Sequence, residues 1–430
     1  MVLGGIIAAI GGVLQTSTYS LGQTIAGRLI SGECIEGRIA CNTLNTCAGM
    51  GVGIFTATNP MYVSETVAAH KRGPLVLVEG ATALGGIALA AWVNFGMYYA
   101  TGPAKFRFPL ALQLLFILVL LAACPFLPES PRYLILKERH EEATNILSRL
   151  MDEPPGSVTV AHEAAIIHAS FQREQDSAST GHKGHKYLQR TLLACGITMT
   201  TQLTGINVIP FYSTTILELT LGYSASIARI LAGCLNLALF FGGITAIFLV
   251  ERFGRRKLML LSTFAMMVSQ AAVCGLSSNL TNAAAGKASL FFYFASLYLL
   301  PIGMFMIPFM YASEIAPPGY RHRVAGMAAA TSWLFNFMVA EVTPIAITTI
   351  AWKYYIVFAV CSAVGCVAIY YLYPETQGRS LEEIDAIFLR SKSIFDTVEV
   401  ARRMPKHFDT LEIDEVNEKL GVVSKHVERV

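Results

Sequence analysis

Pro60-Met61-Tyr62-Val63-Ser64-Glu65 recurs in this chain as Pro308-Phe309-Met310-Tyr311-Ala312-Ser313-Glu314, and in both copies an Arg follows the Glu by seven positions, Arg72 and Arg321. A second pair keeps the same order: Pro128-Glu129-Ser130 ends one apolar run and Pro374-Glu375-Thr376 ends another. The copies stand nearly the same distance apart, 248 positions from 60 to 308 and 246 from 128 to 374. A single Pro-Glu match arises easily by chance, whereas two ordered matches at one offset mark a duplication. Parallel duplication of a helical half is a common way to build a membrane carrier.

The sequence between the repeats fits a lipid solvent. Of 430 residues, 54% are hydrophobic and 14% charged, and the mean hydropathy is +0.52. Soluble domains carry about 25% charged residues, so a water-soluble enzyme, a disordered chain and a disulfide scaffold are excluded as classes. A net charge of +3 gives no electrostatic footprint for nucleic acid. Apolar runs long enough to cross a bilayer lie near Val2–Ser20, Val76–Tyr99, Pro109–Phe126, Thr191–Thr220, Ile227–Val250, Leu258–Leu276, Ala288–Tyr311, Ala325–Ile350 and Tyr354–Tyr373, with a broken run over Ile25–Tyr62. The runs are continuous rather than alternating, which argues against a β-barrel. The first lacks a basic leader and reads as a true span. The expected fold is therefore all-α and membrane-integral, with about ten spans.

Basic clusters at His70-Lys71-Arg72, Arg132/Lys137/Arg139, Arg252/Arg255/Arg256/Lys257, Arg321/Arg323 and Arg379 fall on one side. The positive-inside rule makes that side cytoplasmic and places both termini there. Asn279-Leu280-Thr281 then falls outside as a glycosylation sequon. Six cysteines scattered in or beside spans show no zinc-ligand spacing. No metal, nucleotide or nucleophile motif is present, and no cofactor is expected beyond protons as a coupling ion.

The repeat also divides the chain. Residues 1–127 read as a shortened N-terminal half, 128–187 as an inter-half loop with short helices, 188–373 as a six-helix C-terminal half and 374–430 as a cytoplasmic tail. The second half has six spans before its Pro-Glu-Thr and the first has four before its Pro-Glu-Ser. Two helices and a counterpart of Glu251–Lys257 are thus expected upstream of Met1, so ten spans stand for twelve. Residues 33–49 interrupt one span: Glu33, Glu36 and Arg38 at mid-bilayer would each cost about 2.5–3.5 kcal/mol. This insert reads as a translated intron, with a genuine three-cysteine loop as the alternative.

Taken together, Tyr62-Val63-Ser64-Glu65 with Arg72-Gly73, Pro128-Glu129-Ser130-Pro131-Arg132, Gln202-Leu203-Thr204-Gly205-Ile206-Asn207, Glu251 through Arg256, and Pro374-Glu375-Thr376-Gln377-Gly378-Arg379 resemble the sugar porter family of the major facilitator superfamily, with a fungal sugar or polyol flavour. The resemblance implies alternating-access transport of a monosaccharide or polyol by a monomer in the plasma membrane. Protein that misfolds would be held in the endoplasmic reticulum. The family's coupling Asp belongs to the first helix, which this reading places upstream of Met1. A non-transporting sugar sensor and a non-functional product of a faulty gene model are the alternatives. An enzyme is not expected.

Two residue sets follow. Glu65, Arg72, Glu129, Arg132, Glu251, Arg255, Arg256, Glu314, Arg321, Glu375 and Arg379 are carboxylates and guanidiniums at helix ends. The resemblance implies that they form a charge network that latches the cytoplasmic side; helix-end snorkelling is the simpler alternative. For the sugar, amides offer both a donor and an acceptor to a hydroxyl. Gln202, Asn207, Asn236 and Asn336 meet this need within spans, and Trp333 and Phe309 supply apolar faces. Helix–helix hydrogen bonding is the competing role. Departures from the family include Thr201 before Gln202, Ser332 before Trp333, and Glu79 near a substrate-binding Gln. Glu79 and Thr201 are kept as substrate-binding candidates.

Overall fold

A computed structural model describes residues 2–17, 19, 58–59, 62–63, 66, 72–161, 164–165, 167–168, 187–219, 221–278, 283–317, 320–379, 381–391 and 393–404. Helices and short turns make up these residues, with no strand among them. In chain order the helices are α1 (Val2–Thr16), α2 (Arg72–Tyr98), α3 (Ala104–Ala123), α4 (Pro131–Leu136), α5 (His140–Met151), α6 (Tyr187–Leu203), α7 (Val208–Leu219), α8 (Ala225–Phe253), α9 (Arg255–Ser277), α10 (Ala283–Met304), α11 (Ile307–Ile315), α12 (Arg321–Thr349), α13 (Tyr354–Leu372), α14 (Leu381–Arg390) and α15 (Thr397–Arg403). Among the described residues, eight helical stretches are long and apolar enough to cross a membrane. They coincide with eight of the expected runs. The first expected run holds the 15-residue α1. The broken run over 25–62 and the insert 33–49 lie largely or wholly outside the described residues, as do Glu65 and the sequon at Asn279.

The molecule wears its apolar side chains outward. Phe248, Phe291, Leu334 and Val364 are each more than 60% exposed on long helices, as expected where the surrounding solvent is hydrocarbon. Interior contacts depend on small residues that bring backbones together. A Cβ on Gly303 of α10 would lie 2.0 Å from Leu258 O of α9, and one on Gly242 of α8 would lie 2.1 Å from Tyr298 O of α10. Two buried clusters fill the second half. One, at the basic end, joins Leu193, Ile197, Met259, Ile307, Tyr311 and Phe388. The other, at the opposite end, joins Leu235, Met266, Tyr293, Leu297, Tyr355 and Phe358.

Two of the expected spans are interrupted rather than continuous. α6 and α7 are separated by a turn at 204–207, and α10 and α11 by Phe305 and Met306. Gly205 makes the first break possible: its φ is +79°, and a Cβ there would meet the Phe358 ring at 3.0 Å. Apolar runs carry no sign of such breaks, because hydropathy does not register a local change of backbone direction.

The duplication reappears as a matched pair of hydrogen bonds. Tyr62 OH donates to Pro128 O at 2.9 Å, and Tyr311 OH donates to Pro374 O at 2.8 Å. Each tyrosine precedes its Ser-Glu, and each proline opens its Pro-Glu. In the first copy, the next residues also start a helix: Ser130 Oγ accepts from Tyr133 N at 3.4 Å and Pro131 takes the first helical position of α4. α4 and α5 then share a small core of their own, built on Leu134, Ile135, Ala143 and Leu147.

After α13 the chain folds back on the bundle. Ile384 and Phe388 of α14 enter the basic-end cluster. Arg190, buried at the start of α6, pairs with Asp385 and lies 4.7 Å from the Phe388 ring centroid. Amphipathic spacing drives this docking: Ile384, Ile387 and Phe388 fall on one face.

Candidate binding site and charge network

The break between α6 and α7 sets the geometry of the amide cluster. Gln202 closes α6 and Asn207 precedes α7, so the turn at Gly205 carries the chain between them and lets the two side chains meet. Asn207 Nδ2 donates to Gln202 Oε1 at 2.9 Å and to Asn336 Oδ1 of α12, also at 2.9 Å. Gln202 Nε2 in turn donates to Ser332 Oγ of α12 at 2.8 Å. Ser332 and Asn336 are one helical turn apart and face the break together. Tyr212, whose backbone leaves helical geometry (φ −115°, ψ 16°), adds a second tie to α12 by donating to Ala340 O at 2.8 Å.

Chemically, this is a chain of four neutral polar groups from α6, the turn that follows it and α12. A sugar hydroxyl both donates and accepts, so it can enter such a chain and leave no group unsatisfied. In lipid surroundings each unpaired amide costs free energy, which accounts for the pairing of these side chains with one another.

The remaining candidates are placed differently. Thr201 is buried and bonds back to Ile197 O of its own helix at 3.1 Å. Asn236 of α8 likewise donates to Ala232 O at 2.9 Å, but its Oδ1 is buried with no partner among the described residues. Trp333 Nε1 is also buried without one. Glu79 of α2 shares a hydrogen bond with the Asn59 side chain, and its Oε2 has no partner among the described residues. Phe309 is half-buried on α11. Sequence reading singled out Ser332 only as a departure; the signal for its involvement was its position one turn before Asn336.

At the basic end, Glu375 caps α9. Its Oε1 accepts from Arg255 N at 2.9 Å and its Oε2 from Arg256 N at 3.1 Å, which places a carboxylate at a helix N-terminus. Gly254 gives it room: with φ +88°, a Cβ there would lie 2.6 Å from Glu375 Oε2. The Arg255 guanidinium, buried beneath, reaches Glu251 Oε1 at 3.2 Å and Glu314 Oε1 at 3.4 Å. Thr376 Oγ1 donates to Glu314 Oε2 at 2.6 Å. Five of the expected network residues, Glu251, Arg255, Arg256, Glu314 and Glu375, are thus gathered in one place, all from the second half. Arg379 donates instead to Ala401 O and Met404 O at 2.6 and 2.9 Å, closing the C-terminal end of α15. Glu129 and Arg132 form no ion pair among the described residues. Arg321 opens α12, and Arg72 opens α2.

Comparison with known proteins gives the chain's family and fold. A model of the family described as "Sugar (and other) transporter" matches residues 1–388. The chain is 36% identical to the MFS-type transporter oryC of Aspergillus oryzae, over 99% of this chain and 78% of that protein. It is 32% identical to the sugar transporter STL1 of Saccharomyces cerevisiae, over 99% and 73%. In fold it is similar to the proton:xylose symporter XylE bound to 6-bromo-6-deoxy-D-glucose, with a TM-score of 0.75 at 20% identity, over 90% of this chain and 82% of that one.

Proposed function

The chain belongs to the sugar (and other) transporter family of the major facilitator superfamily, and from that premise we propose that it carries a monosaccharide or polyol across the plasma membrane as a monomer by alternating access. It is a multi-pass membrane protein and not an enzyme. The sensor and gene-model alternatives are not favoured by these relatives. The single observation that carries the site assignment is the amide chain Ser332–Gln202–Asn207–Asn336 at the α6/α7 break. In this reading the sugar hydroxyls replace the internal bonds of that chain. Asn236 Oδ1 and Glu79 Oε2, without partners among the described residues, offer acceptors, Trp333 and Phe309 pack on the sugar's apolar face, and Thr201 lines the α6 side. The charge network at the basic end, on the cytoplasmic side with both termini, holds that side closed in one state and opens in the other. The resemblance to named sugar transporters supports the substrate class, and the bonding capacity of the amides supports the site.

The test is uptake of labelled hexoses, pentoses and polyols in cells or vesicles, with and without an imposed proton gradient. Gln202→Ala and Asn207→Ala each remove hydrogen bonds that cost about 1–3 kcal/mol when left unmade, so apparent affinity should fall roughly tenfold at unchanged surface abundance. Uptake unaffected in both variants sinks the site.

A further inference from the structure

On the outer face of the second half, between α9 and α13, runs an open groove of about 520 Å³. Leu261, Phe264, Cys366 and Val367 form its apolar trough, and Lys257 and Tyr370 stand at its basic-end mouth. Phe264 is 55% and Val367 58% exposed, so the trough opens toward hydrocarbon. Cationic groups converge on the mouth. The Arg256 guanidinium is fixed there, 5.3 Å from the Tyr370 ring centroid, with Nη2 donating to Tyr370 O at 2.5 Å. Its Nε is buried without a partner among the described residues. The carboxylate that acts on Arg256 is Glu375, which also accepts from the backbone N–H groups of Arg255, Arg256, Thr376 and Gln377. Arg402 of α15 is near enough for its charge to act on Arg256. Neither arginine forms an ion pair among the described residues. Two guanidiniums and an ammonium against the single carboxylate of Glu375 leave net positive charge at the mouth, and a further anion relieves that repulsion.

We propose that this groove binds one anionic phospholipid, its acyl chain lying along Leu261, Phe264 and Val367 and its phosphate held among Lys257, Arg256 and Arg402. The match is between an apolar trough with a cationic end and an amphiphile with an anionic end. Basic pockets between transmembrane helices are known to take such headgroups. A free phosphate would satisfy the mouth and leave the trough unexplained, and a zwitterionic lipid would satisfy the trough and leave the charge unbalanced.

The test uses the full chain purified in detergent, with native mass spectrometry to count retained lipid and a thermal melt to read stabilisation. Dioleoyl phosphatidylserine should be retained at one per chain and raise the melting temperature, whereas dioleoyl phosphatidylcholine and inorganic phosphate should not. Lys257→Gln and Arg402→Gln should each weaken retention about fivefold. Val367→Trp fills the trough without touching charge and should abolish retention; an unchanged melt of the lipid-free variants shows that they fold. Equal retention of both lipids overturns the proposal, as does unaltered binding in all three variants. Stabilisation by inorganic phosphate equal to that by phosphatidylserine also overturns it, in favour of a free-anion site.

Discussion

Gly254 shows how one residue can hold a whole motif in place. Its φ of +88° with ψ 167° is open to glycine almost alone, and the carboxylate of Glu375 occupies the space where a side chain would begin. Gly254→Ala should therefore cost about 1–3 kcal/mol of backbone strain and also push Glu375 off the N-terminus of α9. Glu375→Gln keeps the shape but loses the charge, at about 0.3–1 kcal/mol, and one of the two accepting oxygens, because its NH2 cannot accept from a backbone N–H. Thermal melts in detergent should rank Gly254→Ala below Glu375→Gln; the reverse order would refute the cap. The ingredients of this cap were legible in the sequence as two charged helix-end motifs, Glu251–Lys257 and Pro374-Glu375-Thr376, of which the second recurs in the first half. Gln202, Asn207 and Asn336 were legible too, because amides inside apolar runs are conspicuous. Their direct bonding was not, since it depends on a backbone break that hydropathy does not register. The pairing of Arg190 with Asp385 left no local signal, because the partners are remote in sequence and meet only through the fold.

Among the elements, α14 behaves as a strap across the basic end of the bundle. Phe388 is fully buried between the start of α6 and the cluster around Tyr311, and Arg190 adds a charge over its ring. The spacing of Ile384, Ile387 and Phe388 makes this segment an amphipathic helix, but spacing alone does not name the surface it covers. Phe388→Ala removes a large buried ring, a change that costs about 3–5 kcal/mol in a packed core. That is enough to loosen a ten-residue helix whose remaining anchors are Ile384, Ile387 and the Arg190–Asp385 pair. Limited proteolysis should then cut within 381–391 many times faster than in the parent chain, while the membrane spans remain intact. Equal cutting rates would mean that α14 is held by something other than this ring.

For the molecule as a whole, the main contact between the halves among the described residues is that of α2 with α8. Its close approach depends on glycine: a Cβ on Gly243 would meet Leu84 Cδ1 at 2.7 Å, one on Gly85 the Phe240 ring at 3.0 Å, and one on Gly233 the Trp92 indole at 3.0 Å. Alternating access requires the halves to rock about such a seam, and over-packing of a close-packed contact costs about 1–3 kcal/mol. Gly243→Leu lies away from the amide cluster and should slow turnover by about tenfold while leaving the apparent KM for sugar near its original value. Initial uptake rates over a range of sugar concentrations separate the two parameters. A variant that loses affinity and keeps its rate would place the seam outside the transport cycle. The twin tyrosine–proline bonds lead further. Tyr62 finds Pro128 on a partly exposed surface, and Tyr311 finds Pro374 in a fully buried one. The same clasp in such different surroundings speaks for inheritance rather than local fit: in each copy the segment that carries the tyrosine is fastened to the end of the last helix before its Pro-Glu, and both copies have kept the buckle.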